Sequence, residues 1–159
     1  AWKTKILTRE QQLPDPNGPG QQLLNQLRSI NPFVFEKNIC VLLQNTKIVH
    51  RIVRTRNIKD GGFDMEGEFV LPAPFSYPIR FKGEVKRLEA SVGPKEVSRL
   101  VARLGRGEYG LFFTTGYYTR AAQEEVINDA YPVRLVSGAD LYAYYYEARM
   151  INSDGSLLV

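Results

Sequence analysis

Ile79-Arg80-Phe81-Lys82-Gly83-Glu84-Val85-Lys86-Arg87 carries the cleanest strand pattern in the chain. Side chains along an extended strand alternate between its two faces. Here Ile79, Phe81, Gly83 and Val85 share one face, while Arg80, Lys82, Glu84 and Lys86 share the other. The segment lies mid-chain, where a central sheet strand is expected, yet one of its faces is wholly charged. A functional site is one reason for such a face; solvation is the other.

The neighbouring segments supply the rest of a sheet. Phe63 to Val70 also alternates, with Asp64, Glu66 and Glu68 opposite Phe63, Met65, Gly67 and Phe69. A strand near Ile48 to Arg56 precedes it, and Asn57-Ile58-Lys59-Asp60-Gly61-Gly62 has turn composition between them. Pro72, Pro74 and Pro78 mark a loop that either touches a ligand or lengthens a hairpin. Downstream, Pro94 to Leu104 carries Val97, Leu100, Val101 and Leu104 at helical spacing. Tyr109 to Thr115 reads as a buried strand, Thr119 to Asn128 as a helix, Val133 to Val136 as a strand and Asp140 to Met150 as a helix. Ahead of the sheet, a short helix starts at Gln21. A second starts at Asn31-Pro32, with Asn as cap and Pro at the first helical position. The late α/β alternation calls for parallel strands, and the closely spaced early strands can pair antiparallel. The expectation is an α/β fold with a mixed central sheet flanked by helices.

Residues 1–20 are rich in chain breakers and read as a linker or N-terminal arm, 21–151 as the domain, and 152–159 as a C-terminal tail. The 159 residues are 43% hydrophobic with a formal charge of +4 and a pI near 9.2. That is enough apolar content for a core, and the basic balance suits a phosphate-bearing partner. One cysteine, Cys40, and one histidine, His50, exclude an internal disulfide and a Cys/His zinc site. No apolar run is long enough to span a bilayer, and no signal-peptide core opens the chain. A cytoplasmic protein with no membrane partner is expected.

Asp64 follows Gly61-Gly62, and Glu84 and Lys86 project from one face of the later strand. If the two strands pair, the carboxylates of Asp64 and Glu84 converge. Two carboxylates and water suit Mg²⁺, a hard cation that prefers oxygen ligands. A cation of that kind polarises a phosphate and makes a bound water more acidic, and a lysine beside it offsets developing charge. Phosphodiester hydrolysis needs that set. The spacing alone also fits a solvated strand face.

In this order and spacing the motifs resemble those of the PD-(D/E)xK nucleases, and among them the Mrr-type cleavage domains of restriction enzymes. The resemblance runs from about Phe33 to Tyr146. It rests on Phe35-Glu36 with the apolar helix after it, on Asp60-Gly61-Gly62-Phe63-Asp64-Met65 and on Gly83-Glu84-Val85-Lys86-Arg87. Gly110-Leu111-Phe112-Phe113-Thr114-Thr115, Ala121-Ala122 and the strand from Val133 to Ser137-Gly138 complete it. It implies a restriction-endonuclease-like fold. It further implies Asp64, Glu84 and the Val85 carbonyl as ligands of Mg²⁺ (or Mn²⁺), Lys86 as the catalytic lysine, and Glu36 as an acid that approaches the metal through water. For Glu36 an exposed helix carboxylate is the alternative. The implied partner is double-stranded DNA, cut by a homodimer or larger assembly since two strands need two sites, with a separate recognition domain. The implied activity is a Mg²⁺-dependent endonuclease of a restriction system, with modified DNA as one candidate target. A structure-specific or repair nuclease of the same superfamily, or a nucleic-acid-binding module with a vestigial site, are the alternatives. His50, Thr114, Thr115, Arg99, Arg103, Arg106 and the run Tyr144-Tyr145-Tyr146 read more simply as surface, capping or packing residues.

Overall fold

The computed structural model describes residues 5–54, 64–87 and 89–158. Its elements are α1 (Arg9–Gln12), α2 (Pro19–Ser29), α3 (Pro32–Gln44), β1 (Val49–Arg54), β2 (Met65–Val70), β3 (Pro78–Lys86), β4 (Ser91–Val92), α4 (Pro94–Val101), β5 (Tyr109–Thr114), β6 (Tyr117–Tyr118), α5 (Arg120–Asn128), β7 (Val133–Val136) and α6 (Gly138–Glu147). The main sheet runs β1-β2-β3-β5-β7. β2 pairs antiparallel with β1 on one side and β3 on the other, while β3, β5 and β7 are parallel. This is the mixed sheet the sequence calls for. The turn Asn57 to Gly62 and Phe63 lie outside the described residues.

Each face of the sheet has its own core. On one side Leu23, Leu24 and Leu27 of α2, Phe35 and Ile39 of α3, and Leu141 and Tyr145 of α6 cover Met65, Phe81, Leu111 and Phe113. On the other, Val97 and Leu100 of α4 and Ala122 and Val126 of α5 cover Phe112, Val133 and Leu135. The period-two pattern of β5 therefore divides its side chains between two cores, which is why that strand reads as apolar throughout. Gly67 is required by close approach: a Cβ there would stand 2.1 Å from the Arg51 carbonyl oxygen and 2.7 Å from the Phe81 ring.

The proline-rich loop after β2 closes the β2–β3 hairpin, with Leu71 N–H donating to the Tyr77 carbonyl at 3.0 Å. β3 separates this loop from Lys86 by eight residue steps, roughly 25 Å of extended chain. The loop lengthens the hairpin at the end of the sheet away from Lys86.

Residues 5–20 and 152–158 pack against the domain where the composition reads as arm and tail. Gln12 is 2% exposed, and its side-chain amide pairs with both backbone groups of Tyr118: Oε1 accepts from N–H at 2.8 Å, and Nε2 donates to C=O at 3.1 Å. Leu7 N–H donates to Gln123 Oε1 at 2.8 Å. At the other end, Leu157 N–H donates to Gln26 Oε1 at 2.9 Å. Prolines and glycines forbid a long element here without forbidding contact, so composition hides the packing.

Gln12→Ala leaves both backbone groups of Tyr118 without this partner in a buried setting. We expect a loss of about 1–3 kcal/mol in urea unfolding. A change near zero would show that water replaces the amide.

Candidate active site

The antiparallel register of β2 and β3 pairs Met65 with Gly83. One step further brings Asp64 opposite Glu84, on the sheet face covered by α4. Two hydrogen bonds fix that placement. The Asp64 N–H donates to the Gly83 carbonyl at 2.7 Å, and Asp64 Oδ2 accepts from the Val85 N–H at 2.7 Å. Asp64 thus grips the residues on either side of Glu84, and its carboxylate takes the place of a ladder partner where β2 begins.

The Val85 N–H points to the β2 edge of β3. A strand residue's C=O points to the same edge as its N–H, so the Val85 carbonyl is directed alongside Asp64. The Lys86 carbonyl confirms the alternation, since it accepts from Thr115 N–H on the β5 side at 3.3 Å. Asp64, Glu84 and the Val85 carbonyl therefore present oxygen to one region, and Lys86 stands one strand repeat beyond Glu84 on the same face.

Burial sets the electrostatics. Glu84 lies opposite Phe112 of β5, is 8% exposed, and has a buried Oε2 with no hydrogen-bond partner among the described residues. Burial first, then the charge of Asp64, push its carboxyl up to about 7, against the pull of Lys86 and Arg99. Asp64 is also raised by burial, opposed by the Val85 hydrogen bond, Lys86 and Arg54. A buried carboxylate oxygen without a donor is costly unless it is protonated or meets a cation. The set of hard oxygen donors fits a divalent ion of the Mg²⁺ type.

Glu36 sits on α3 and has a different partner. Its Oε1 lies 3.6 Å from Arg54 Nη2. Burial and the charge of Asp64 raise its carboxyl, and Arg54 opposes both. Among the described residues, no three His, Cys, Asp or Glu side chains form a metal-holding group. The structure brings Asp64, Glu84 and Lys86 together and places Glu36 beside them, tied to Arg54.

Arg54 is a residue the sequence reading passed over. It ends β1 opposite Met65, and its guanidinium lies 5.9 Å from the Phe33 ring centroid. The only available signal was its place at a strand end next to the glycine turn. Thr114 and Thr115 are fully buried, and Thr114 Oγ1 accepts from Gly116 N–H at 3.0 Å, which is a turn-capping role. His50 is exposed on β1, Tyr145 is core and Tyr146 is exposed. A cleft of about 420 Å³ between α3, α6 and the sheet contains none of the Asp64, Glu84 and Lys86 side chains.

A family model described as restriction endonuclease, of the Mrr-type catalytic domain, matches residues 27–145. The chain belongs to the Mrr-type restriction endonuclease family. Solved structures agree. The MspJI restriction endonuclease in complex with a 27-mer oligonucleotide superposes with a TM-score of 0.78 at 29% identity, over 95% of this chain and 36% of that one. The DNA modification-dependent restriction endonuclease AspBHI gives 0.78 at 32% identity, over 92% of this chain and 40% of that one. This Mrr-type chain thus spans less than half the length of either protein. No curated protein matches it. Among its described residues no helix is long and apolar enough to cross a membrane.

The raised carboxyl of Glu84 has a consequence for stability. Its folded pKa, about 7, exceeds the ordinary value of 4.5, so the folded state holds a proton that the unfolded state releases. Metal-free protein therefore loses stability as pH rises from about 4.5 through about 7. Glu84→Gln is expected to stabilise the metal-free chain at pH 8 by on the order of 2–3 kcal/mol, and to do little at pH 4.5. Urea unfolding with EDTA at the two pH values checks this; an equal effect at both would contradict a buried, proton-holding Glu84.

Proposed function

We propose that this chain is the cleavage domain of a restriction enzyme that hydrolyses phosphodiester bonds of double-stranded DNA with a divalent metal, Mg²⁺ in the first instance. The observation that carries the reading is Asp64 held against a buried, unpartnered Glu84 carboxylate, with Lys86 one strand repeat beyond. The family supports nuclease chemistry, and the donor set supports the metal.

Asp64 Oδ1, Glu84 and the Val85 carbonyl are the proposed ligands, with Glu36 reaching the ion through water. When bound, the ion supplies charge to a phosphate oxygen and increases the acidity of a water. The protein residues do the positioning. Val85 N–H holds Asp64 so that its second oxygen faces the site. The buried setting of Glu84 keeps its carboxylate from being satisfied by solvent, so a cation is its natural partner above pH 7. Lys86 counters the charge of both carboxylates and places an ammonium where negative charge grows on the phosphate. Arg54 balances Glu36 on the α3 side.

AspBHI is described as modification-dependent, and this chain matches well under half of it. We infer that target choice, and any requirement for modified DNA, lie in sequence outside this domain. Cutting both strands requires two such sites, hence a homodimer or larger assembly. We place the nuclease domain over residues 21–151, with the flanking segments as its packed extensions, and the enzyme in the cytoplasm.

The test is plasmid cleavage by the chain with Mg²⁺ and with EDTA, on methylated and unmethylated DNA. Lys86→Ala is expected to lower the metal-dependent rate by about 100-fold or more while DNA binding persists. Equal cleavage by the variant would remove Lys86 from the mechanism. Binding without cleavage by the wild type would favour a vestigial site.

A further inference from the structure

The backbone of Lys86 belongs to a closed circuit of contacts. Its carbonyl accepts from Thr115 N–H at 3.3 Å. The Thr115 carbonyl accepts from Arg28 Nη2 at 2.7 Å, and Arg28 Nε lies 3.4 Å from Thr115 Oγ1. The Arg28 carbonyl accepts from Arg87 Nη1 at 2.9 Å, and that nitrogen also donates to the Ile30 carbonyl. Arg87 is bonded to Lys86 along the chain, which closes the ring.

Each link has a physical reason. The carbonyls of Arg28 and Ile30 lie at the end of α2, where a helix leaves carbonyls without intrahelical partners and carries partial negative charge. Arg87 reaches both carbonyls through one terminal nitrogen, Nη1, which carries two N–H groups, while Arg28 engages Thr115 through two nitrogens, Nε and Nη2, a planar fork that an ammonium does not offer. Arg28 has only 18% of its side chain exposed, and its other neighbour is Glu89, a surface carboxylate at 3.9 Å. The side chain of Arg87 follows the strand alternation: Lys86 projects to the α4 face and Arg87 to the α2 face. One residue therefore aims at the site while its neighbour is clamped to the helix behind it.

We propose that Arg87 and Arg28 are positioning residues that fix the backbone of Lys86, and through it the direction of its ammonium. This rests on the nuclease reading for its catalytic consequence, and on geometry alone for the clamp. Displacing a catalytic group by about 1 Å costs about 100-fold in rate, so the end of β3, just past its last paired residue, is a place where a clamp matters. Neither arginine need touch substrate.

The test uses Arg87→Lys, which keeps charge but shortens the side chain and removes the planar guanidinium, and Arg28→Lys, which keeps charge and loses the fork. Amide hydrogen exchange at Thr115 is expected to speed up in both variants, with Phe112 in the middle of β5 unchanged. In cleavage, Arg87→Lys is expected to lower kcat by about 10- to 100-fold, with DNA affinity measured in Ca²⁺ unchanged. Added to Lys86→Ala, it is expected to cause no further loss, because it acts through Lys86. Unchanged exchange at Thr115 overturns the clamp. An equal loss of kcat with and without Lys86 overturns the positioning role and leaves a general structural one. A wild-type chain that does not cut counts against the nuclease reading alone; the exchange measurement still decides the clamp. If Arg87→Lys fails to fold, Arg28→Lys carries the same readouts.

Discussion

The site depends on the grip of Asp64 on β3. One residue uses its backbone N–H on Gly83 and its carboxylate on the Val85 N–H, both at 2.7 Å. These two bonds terminate the β2 ladder and hold an acidic side chain opposite Glu84. Without the side-chain bond, the start of β2 would leave the Val85 N–H without this partner, and the two carboxylates would have no fixed relation. The scaffold around this grip is conventional α/β packing. The two cores hold β3 between β2 and β5, so the edge on which Asp64 acts is internal to the sheet and rigid.

The same arrangement puts the site under electrostatic tension. Two carboxylates face each other where Glu84 is 8% exposed, and Lys86 offsets them only in part. A sheet built for stability alone would place an apolar residue opposite Phe112. The local rule is broken where a functional demand is expected, and a divalent cation, if bound as proposed, would relieve both the repulsion and the unpartnered oxygen. Arg54 and Glu36 extend the charged region toward α3, with Glu36 Oε1 3.6 Å from Arg54 Nη2.

Much of this was legible in the sequence. Period-two alternation placed Glu84 and Lys86 on one face, and the order of helices and strands called for the mixed sheet. The antiparallel register that sets Asp64 against Glu84 was anticipated as a condition, because hairpin pairing is local in sequence. What sequence concealed is long-range. Arg87 finds its carbonyls 57 and 59 residues away, and Gln12 reaches Tyr118 over 106. Nothing in the neighbours of either residue signals such a partner. Arg54 lies close in sequence to the Asn57–Gly62 segment, yet one arginine on a strand resembles any solvated cation. Helix ends shifted for local reasons. α6 begins at Gly138 rather than Asp140 because Asp140 reaches back to the Ser137 N–H at 3.1 Å, and its last turn gives way to Arg149 at a positive φ of 57°.

In the proposed site, Asp64, Glu84 and the Val85 carbonyl hold one divalent cation beside Lys86. The decisive measurement is a crystal of this chain soaked in Mn²⁺ with data collected at the manganese absorption edge. An anomalous peak is expected, bonded to an oxygen of Asp64, an oxygen of Glu84 and the Val85 carbonyl, at distances on the order of 2.1 Å. An ordered Asp64–Glu84 pair with no peak between them, or a peak held by other residues, would contradict it.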